Sequence, residues 1–489
     1  MKLQTLLQEV SYTVVQGFID IDIADISMNS RDEQKSTAFV CINGATVDGH
    51  LFAEEVIKKG AAAIVVEEDI TGMEQFNVTI IRVRDTKYAY AAMSAAYFGY
   101  PAKELTTIGI TGTKGKTTIT YMIQSILEYA GLKTGLIGTI EAIIGDVRIP
   151  SDNTTPEAYT LQKYLRQMVD EGCEYAVMEV SSQGLKLERT ATIIFDYGIF
   201  TNLEEDHIGP KEHADMEEYI RCKGKLFKQC RCGIVNNDDQ YVMQVLAGHT
   251  CEVETYGLSL ESDTYATDIK RYQNENVLGI QFHVSGRVEL DAWLPIPGIF
   301  NVYNALTAIA LCRHLPVSVN KLVEALNYVS VKGRMEIVKV PGPYLLMIDY
   351  AHNALSLKSL LTTLREYDPK RIVCLFGCGG NRSKLRRYEM GEISANMADL
   401  TVITSDNPRY EEPMDIIGDI KIGIEKGKGS YVMIPDRKQA IQYCMENAQE
   451  GDFVILAGKG HEDYQEINGV KYPMDERVII ANILEGNHY

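Results

Sequence analysis

The chain has 489 residues, 45% hydrophobic and 24% charged, which is ordinary for a folded globular protein and long enough for about three domains. Its 67 Asp and Glu against 48 Lys and Arg leave a net charge of -19, which argues against nucleic acid as the main partner and requires a local basic pocket for any anionic ligand. Ten cysteines without a CxxC pair, no secretory leader and no apolar run near the ~20 residues of a membrane span predict reduced thiols in a cytoplasmic protein that crosses no membrane.

The first hundred residues hold short apolar runs, "TAFVCI" and "AAAIVVEE", and a helical "FAEEVIKKG" closed by Gly60. This pattern predicts a small α/β domain, and Pro101 marks a linker. Next, "LTTIGITG" reads as a strand running into "TGTKGKTT". The following "TTITYMIQSILEYAG" is an amphipathic helix with Ile119, Met122, Ile123, Ile126, Leu127 and Ala130 on one face and Gly131 as its stop. "EYAVMEVSS" and "FDYGIFTN" are further strands. A last section begins near "VKGRMEIV", and its strands "YLLMIDYAH", "RIVCLFG", "LTVITSD" and "DFVILAGKG" alternate with amphipathic segments. The fold class expected is therefore α/β in three domains: a small α/β domain over 1–100, a central P-loop mononucleotide-binding domain over 101–331, and a doubly wound, Rossmann-like domain over 332–489. Ligands belong at the carboxyl ends of such strands.

The loop "TGTKGKTT" departs from a full Walker A pattern, because Ile110 stands where the first glycine would be. Gly112, Gly115, Lys116 and Thr117 still fit a phosphate cradle. Glycines let backbone N–H groups turn onto phosphate oxygens, the helix N-terminus adds positive charge, Lys116 reaches the terminal phosphates, and the Thr117 hydroxyl can ligate Mg²⁺. Glu179, at the end of an apolar run, supplies a metal-binding carboxylate or simply a solvated edge residue. His207, beyond the next strand, is a metal ligand or a structural histidine.

The motifs "TGTKGKTT", "NTTPE", "MEVSS", "TNLEEDH", "EEYIRCKGKLF", "GIFNVYNALTAIA", "VKGRMEIV", "IDYAH", "GCGGNRSKLRR", "SDNPR" and "GKGHEDYQ" stand in the order and spacing of the Mur ligases, which the chain resembles over nearly its whole length. The resemblance implies an ATP-dependent amide ligase of peptidoglycan precursor synthesis. The N-terminal domain, with Ser30 in "NSRDEQKSTAFVCINGATVDGH", would bind a UDP-muramoyl dipeptide. Thr111, Gly112, Thr113, Lys114, Gly115, Lys116, Thr117 and Thr118 would hold ATP, together with Asn301, Asn304, Arg334, Asp349 and His352. Thr117, Glu179, His207 and Lys223 would hold Mg²⁺, with Lys223 carbamylated; an ammonium repels a metal cation, whereas a carbamate offers oxygen donors. Lys116, Glu179, His207 and Lys223 would be the catalytic set. Without the resemblance, Lys223 beside Lys225 reads as a solvated helix face, and Asn301 as a helix cap.

The resemblance also carries substrate residues: Thr154 and Thr155 in "NTTPE", Ser181, Arg189, Arg382, Asp406, Asn407, Pro408 and Arg409 in "DNPR", and Gly458 and Glu462 in "GKGHE". The second substrate would be a diamino acid. An extra carboxylate on it asks for a guanidinium fork, which Arg409 or Arg382 can supply, so meso-diaminopimelate is expected over L-lysine. Several positions depart from the family: Gln183 replaces a histidine, Leu187 a glutamine, and Glu204 with Glu205 a serine and an arginine. Those changes keep a different acidic donor open, as in poly-γ-glutamate or cyanophycin synthesis. A non-catalytic nucleotide-binding regulator and a kinase or GTPase are the remaining readings. A monomer with domain closure around the substrates is expected.

Overall fold

The computed structural model describes every residue except 45, 46, 207, 210, 211, 275, 276 and 488. The chain groups into two compact units, Met1–Tyr265 with Leu306–Ser318 and Ala266–Ala305 with Val319–Tyr489.

The first unit contains two sheets. In the smaller, strands Asp25–Ser27, Thr37–Val40, Ala63–Val66 and Thr79–Val83 run parallel, and Tyr12–Gln16 closes the edge antiparallel. Val40, Ala63, Val65 and Ile81 pack against Leu3, Leu6, Ala92 and Met93, so the sheet is covered on that face by helix Thr86–Tyr97. Asp85 caps this helix by accepting from the amides of Lys87 and Tyr88.

The larger sheet places strand Thr106–Thr111 centrally, between Tyr175–Glu179 and Phe195–Phe200, with Thr134–Ile137, Cys230–Asn236 and Glu252–Gly257 flanking them, all parallel. Such central strands are buried on both faces, which is why they read as unbroken apolar runs. The helix Lys116–Ala130 follows the central strand, and its stripe Ile119, Met122, Ile123, Ile126 and Leu127 is fully buried. At about 1.5–3 kcal/mol for each buried side chain of this size, that stripe holds the helix on the sheet. Gly131 ends the helix at φ +87, where a Cβ would meet open space.

Two strands not expected from the sequence, Glu141–Ile144 and Val147–Pro150, extend the edge antiparallel beyond Thr134–Ile137. Strand Thr264–Asn274 leaves the first unit and continues in the second, where Val277–Gly286 and Leu290–Leu294 pair antiparallel. The second unit also has a six-stranded sheet in the order Glu336–Val338, Leu345–Asp349, Asp452–Ala457, Arg371–Phe376, Leu400–Ile403, Ser430–Met433. Only its first strand is antiparallel. This is the doubly wound sheet expected of the C-terminal section, and a small hairpin, Tyr464–Ile467 with Val470–Pro473, follows it.

Candidate active site

The P-loop forms between the central strand and its helix. Gly112 takes φ +152, and a Cβ there would lie 1.8 Å from Thr201 Oγ1, so only glycine fits. Thr201 Oγ1 and Asn202 Nδ2 donate to Lys114 O, and Lys114 N donates to Asn202 Oδ1 at 2.9 Å. The residues after strand Phe195–Phe200 thereby clamp the loop from one side. Thr113 Oγ1 lies 3.1 Å from Tyr219 OH, and Thr118 is buried in the first helical turn. Lys116 Nζ folds back onto Gly112 O at 2.8 Å and Thr113 O at 3.0 Å.

Lys223 lies in helix Met216–Gly224, 1% exposed, with Nζ 2.9 Å from Gly112 O and 4.4 Å from the Tyr219 ring centre. The solvated-face reading is therefore wrong for Lys223. Burial, followed by repulsion from Lys116, pushes its amine well below the ordinary lysine range, with partial opposition from Asp206.

Glu179 is 1% exposed, so its carboxylate is not a solvated edge group either. It accepts from Thr117 Oγ1 at 3.0 Å, Thr139 N at 2.8 Å and Thr139 Oγ1 at 3.0 Å. Among the described residues no lysine or arginine pairs with it. A buried carboxylate compensated only by neutral donors, beside a threonine hydroxyl, is a donor set that fits a hard divalent cation. Thr139 was missed in the sequence; nothing there distinguishes it from an ordinary strand-end threonine. His207 lies outside the described residues.

The same region gathers the residues expected on the dipeptide side, Thr154, Thr155, Ser181 and Arg189. Thr154 Oγ1 lies 3.0 Å from Thr139 Oγ1, and Thr155 Oγ1 donates to Glu179 O at 2.9 Å and accepts from Ser181 N at 2.9 Å. Ser181 caps the short helix Ser182–Lys186 through Gly184 N. Arg189 donates to Thr155 O at 2.8 Å and pairs with Glu157. Among the departures, Glu204 forms an ion pair with Lys114 at 2.7 Å, so its added negative charge is partly neutralised locally. Gln183 Nε2 is buried without a hydrogen-bond partner. Ser30 stands apart from this group, in the loop after strand Asp25–Ser27, where its carbonyl accepts from Lys59 Nζ at 2.7 Å.

In the second unit, Asn301 and Asn304 are buried near the start of helix Ile299–Cys312 and bond each other at 2.8 Å, and Asn301 Nδ2 also donates to Pro297 O at 2.7 Å. Arg334, Asp349 and His352 converge around Tyr350. The Arg334 guanidinium lies 4.6 Å from the Tyr350 ring centre, and the His352 and His461 rings are each 4.6 Å from it. Asp349 accepts from Met335 N and Ala351 N, both at 2.8 Å. Burial raises its carboxyl above the usual range despite Arg334.

The residues expected to hold the amino acid lie beyond the carboxyl ends of strands Arg371–Phe376, Leu400–Ile403 and Asp452–Ala457. A Cβ on Gly458 would lie 3.2 Å from Asp406 Oδ2. One on Gly379 would lie 2.9 Å from Arg409 Nη1 and 3.8 Å from Arg382 Cγ, so both arginines flank the same glycine. Pro408 O abuts Gly380. Asn407 Nδ2 donates to Glu462 Oε2 at 2.9 Å. Arg409, at φ +53, donates from Nε to Glu466 Oε2 at 3.0 Å and from Nη1 to Gly380 O at 2.8 Å. A non-glycine backbone held in the left-handed region costs about 1–3 kcal/mol and persists where its surroundings over-determine it. Here Arg409 N and O are both bonded, to Glu466 O and Asn468 N.

A parallel sheet with a glycine-rich loop, a buried carboxylate and a buried lysine on neighbouring strands and helices is the framework of a P-loop nucleotide-binding enzyme. The chain belongs to the Mur ligase family: the family's catalytic-domain description matches residues 22–98, the Mur ligase middle domain 110–312, and the glutamate ligase domain 333–460. Its relatives include UDP-N-acetylmuramoyl-L-alanyl-D-glutamate--2,6-diaminopimelate ligase of Clostridium perfringens (strain 13 / Type A), 42% identical with 99% of this chain and 100% of the relative covered. The protein of the same name from Caldanaerobacter subterraneus subsp. tengcongensis is also 42% identical, with 99% of each chain covered. A solved structure of a ligase of that name superposes with a TM-score of 0.72 at 27% identity, covering 100% of this chain and 99% of the other.

Proposed function

We propose that this chain is an ATP-dependent amide ligase that joins meso-diaminopimelate to UDP-N-acetylmuramoyl-L-alanyl-D-glutamate in the cytoplasm, as a monomer. The observation that carries the reading is the meeting of Arg382, Arg409, Asp406, Asn407, Gly458 and Glu462 at one sheet edge, in a chain that aligns end to end with diaminopimelate ligases. The Arg409 guanidinium, with Arg382 on the same glycine and Glu462 nearby, suits a carbon bearing both a carboxylate and an ammonium.

In the three-domain reading, residues 1–100, including Ser30, hold the UDP end. Residues 101–331 hold ATP and the reacting carboxylate, and residues 332–489 hold the amino acid. The γ-phosphoryl group passes to the carboxylate oxygen of the D-glutamyl residue, releasing ADP; the amine attacks the carbonyl carbon, phosphate leaves and the amine loses a proton. Two anions approach in the first step. Lys116 and the N-terminus of helix Lys116–Ala130 offset their repulsion, and Thr154, Thr155, Ser181 and Arg189 orient the acceptor carboxylate. Thr117, Glu179, His207 and carbamylated Lys223 would hold Mg²⁺, which supplies charge neutralisation at the transferring phosphoryl group. Arg334, Asp349, His352, Asn301 and Asn304 serve the nucleotide.

Phosphate release from ATP and Mg²⁺ with the UDP-muramoyl dipeptide, compared with meso-diaminopimelate, L-lysine or no amino acid, tests this. Product mass is read in parallel. Stimulation by diaminopimelate with formation of the UDP-muramoyl tripeptide is expected. Equal stimulation by L-lysine, or silence with both amino acids despite ATP binding, refutes the substrate assignment.

A further inference from the structure

We propose that Lys459 is a positioning residue that builds the amino-acid half of the site, an inference resting on the reading of Asn407, Arg409 and Glu462 above. Lys459 is 0% exposed, a rare state for a lysine unless it is fully paired. Its Nζ donates to Asn407 Oδ1 at 2.8 Å, to Glu462 Oε2 at 2.8 Å and to Tyr464 O. An ammonium has three N–H donors, so all three are committed and none remains for a substrate.

The three acceptors belong to three different segments: the loop after strand Leu400–Ile403, the loop after strand Asp452–Ala457, and the hairpin strand Tyr464–Ile467. Lys459 therefore pins together the pieces from which the pocket is made. Asn407 Oδ1 also accepts from Glu466 N at 2.9 Å, so its oxygen side is fixed by two donors and its Nδ2 is left to donate to Glu462 Oε2 at 2.9 Å. Glu462 thus takes both bonds on Oε2, and neither falls on Oε1. One carboxylate oxygen is anchored and the other is available for a cationic amine. Through Glu466, which accepts from Arg409 Nε at 3.0 Å, the same cluster reaches the arginine assigned to the carboxylate. Both charged groups of the amino acid are thereby served from one buried cation.

The test uses the full chain carrying Lys459→Met or Lys459→Gln, with KM measured for meso-diaminopimelate, ATP and the UDP-muramoyl dipeptide. Calorimetric binding of meso-diaminopimelate and a thermal melt accompany the kinetics. Wild-type turnover and binding report on the ligase reading itself, and a wild type that neither turns over nor binds diaminopimelate refutes that reading and this inference with it. With an active wild type, we expect KM or Kd for diaminopimelate to rise at least tenfold in Lys459→Met and less in Lys459→Gln, while the other two KM values stay within twofold. Adding Glu462→Gln to Lys459→Met should raise the diaminopimelate KM no further than the larger single effect, because the two residues act as one unit. A common rise in all three KM values, an unchanged diaminopimelate KM, additive effects, or unfolding of both variants overturns the proposal in favour of a purely structural lysine.

Discussion

Replacing Gly112 by alanine separates the cost of backbone conformation from the cost of filling the phosphate cradle, because Gly131, at the far end of the helix that follows the loop, provides a control with open space around it. At Gly131, φ is +87 and a Cβ meets nothing within 4 Å, so Gly131→Ala should cost only the backbone strain, about 1 kcal/mol. At Gly112, φ is +152 and the Cβ would sit 1.8 Å from Thr201 Oγ1. Strain of about 1–3 kcal/mol is then joined by displacement of Thr201, whose Oγ1 donates to Lys114 O at 2.7 Å. Losing that bond adds about 0.5–1.5 kcal/mol, for a total of roughly 2–4 kcal/mol. For a unit of this size, ~1 kcal/mol corresponds to a melting shift of about 2–4 °C, so Gly112→Ala should fall two to four times further than Gly131→Ala. The functional consequence is more selective. Thr113 and Lys114, which follow Gly112 in the loop, must move with it, so ATP binding should weaken by about tenfold or more in Gly112→Ala and not at all in Gly131→Ala. Calorimetry and nucleotide titration read both quantities. Equal melting shifts with unchanged ATP affinity in both variants would refute the assignment of Gly112 to a close-fitting cradle.

Three further outcomes follow from the same geometry. Lys223→Ala should abolish ligation while leaving nucleotide binding measurable, and intact-mass analysis of the wild type in bicarbonate should show one added CO₂ that the variant lacks; an unmodified, fully active wild type refutes the carbamate. Arg409→Ala should raise the diaminopimelate KM by about 10–100-fold, since a charge-assisted hydrogen-bonded pair contributes about 1.5–3 kcal/mol, and steady-state kinetics with unchanged ATP KM check it. Glu411, held by Arg387 and the amide of Asn381, has its carboxyl lowered from 4.5 to about 2. A depressed carboxyl contributes stability that is present above its unfolded value near 4.5 and is lost as pH falls through about 2. Its side chain is 28% exposed, so the contribution is reduced by solvent to about 1–3 kcal/mol. Glu411→Gln should therefore destabilise the chain at pH 7 and flatten the acid limb of its melting curve between pH 5 and 2; an acid limb identical to that of the wild type counts against the ion pair.

The parts of the fold legible in the sequence are those whose signals are local. The helix after the P-loop announces itself by a 3.6-residue stripe and a terminal glycine, and the central strands by apolar runs, because both patterns record burial by the element's own immediate surroundings. The hairpin Glu141–Pro150 carries a local signal too, the two-residue Gly145–Asp146 loop between apolar stretches, with Gly145 at φ +57. Strands Val277–Gly286 and Leu290–Leu294 also carry a local signal, since Leu278, Ile280, Phe282 and Val284, and Leu290, Ala292 and Leu294, are buried at every second position, the period of a half-buried antiparallel pair.

The site shows the same division at the level of single side chains. Gly112, Lys116 and Thr117 stand in one loop and can be read from one short string. Lys223 and Lys459 sit in charged or glycine-rich contexts that look solvated, yet each is buried on an acceptor brought from far along the chain, the Gly112 carbonyl 111 residues away and the Asn407 amide oxygen 52 residues away. For Lys459 two of the three acceptors, Glu462 and Tyr464, are near in sequence, but only the fold brings the third and completes the set. Arg387 and Arg437 make the point again: each is at most 2% exposed and bonds to carboxylates, Glu411 with Asp419 and Glu476, at positions at least 24 residues distant. Arg437 also donates to Ser405 O and Ala457 O, the residues immediately before Asp406 and Gly458, so the two strand ends that carry the loops proposed to hold the amino acid share one buried guanidinium. In this unit the cations that shape the site lie beneath it, and a search for functional residues confined to exposed charges would pass over them.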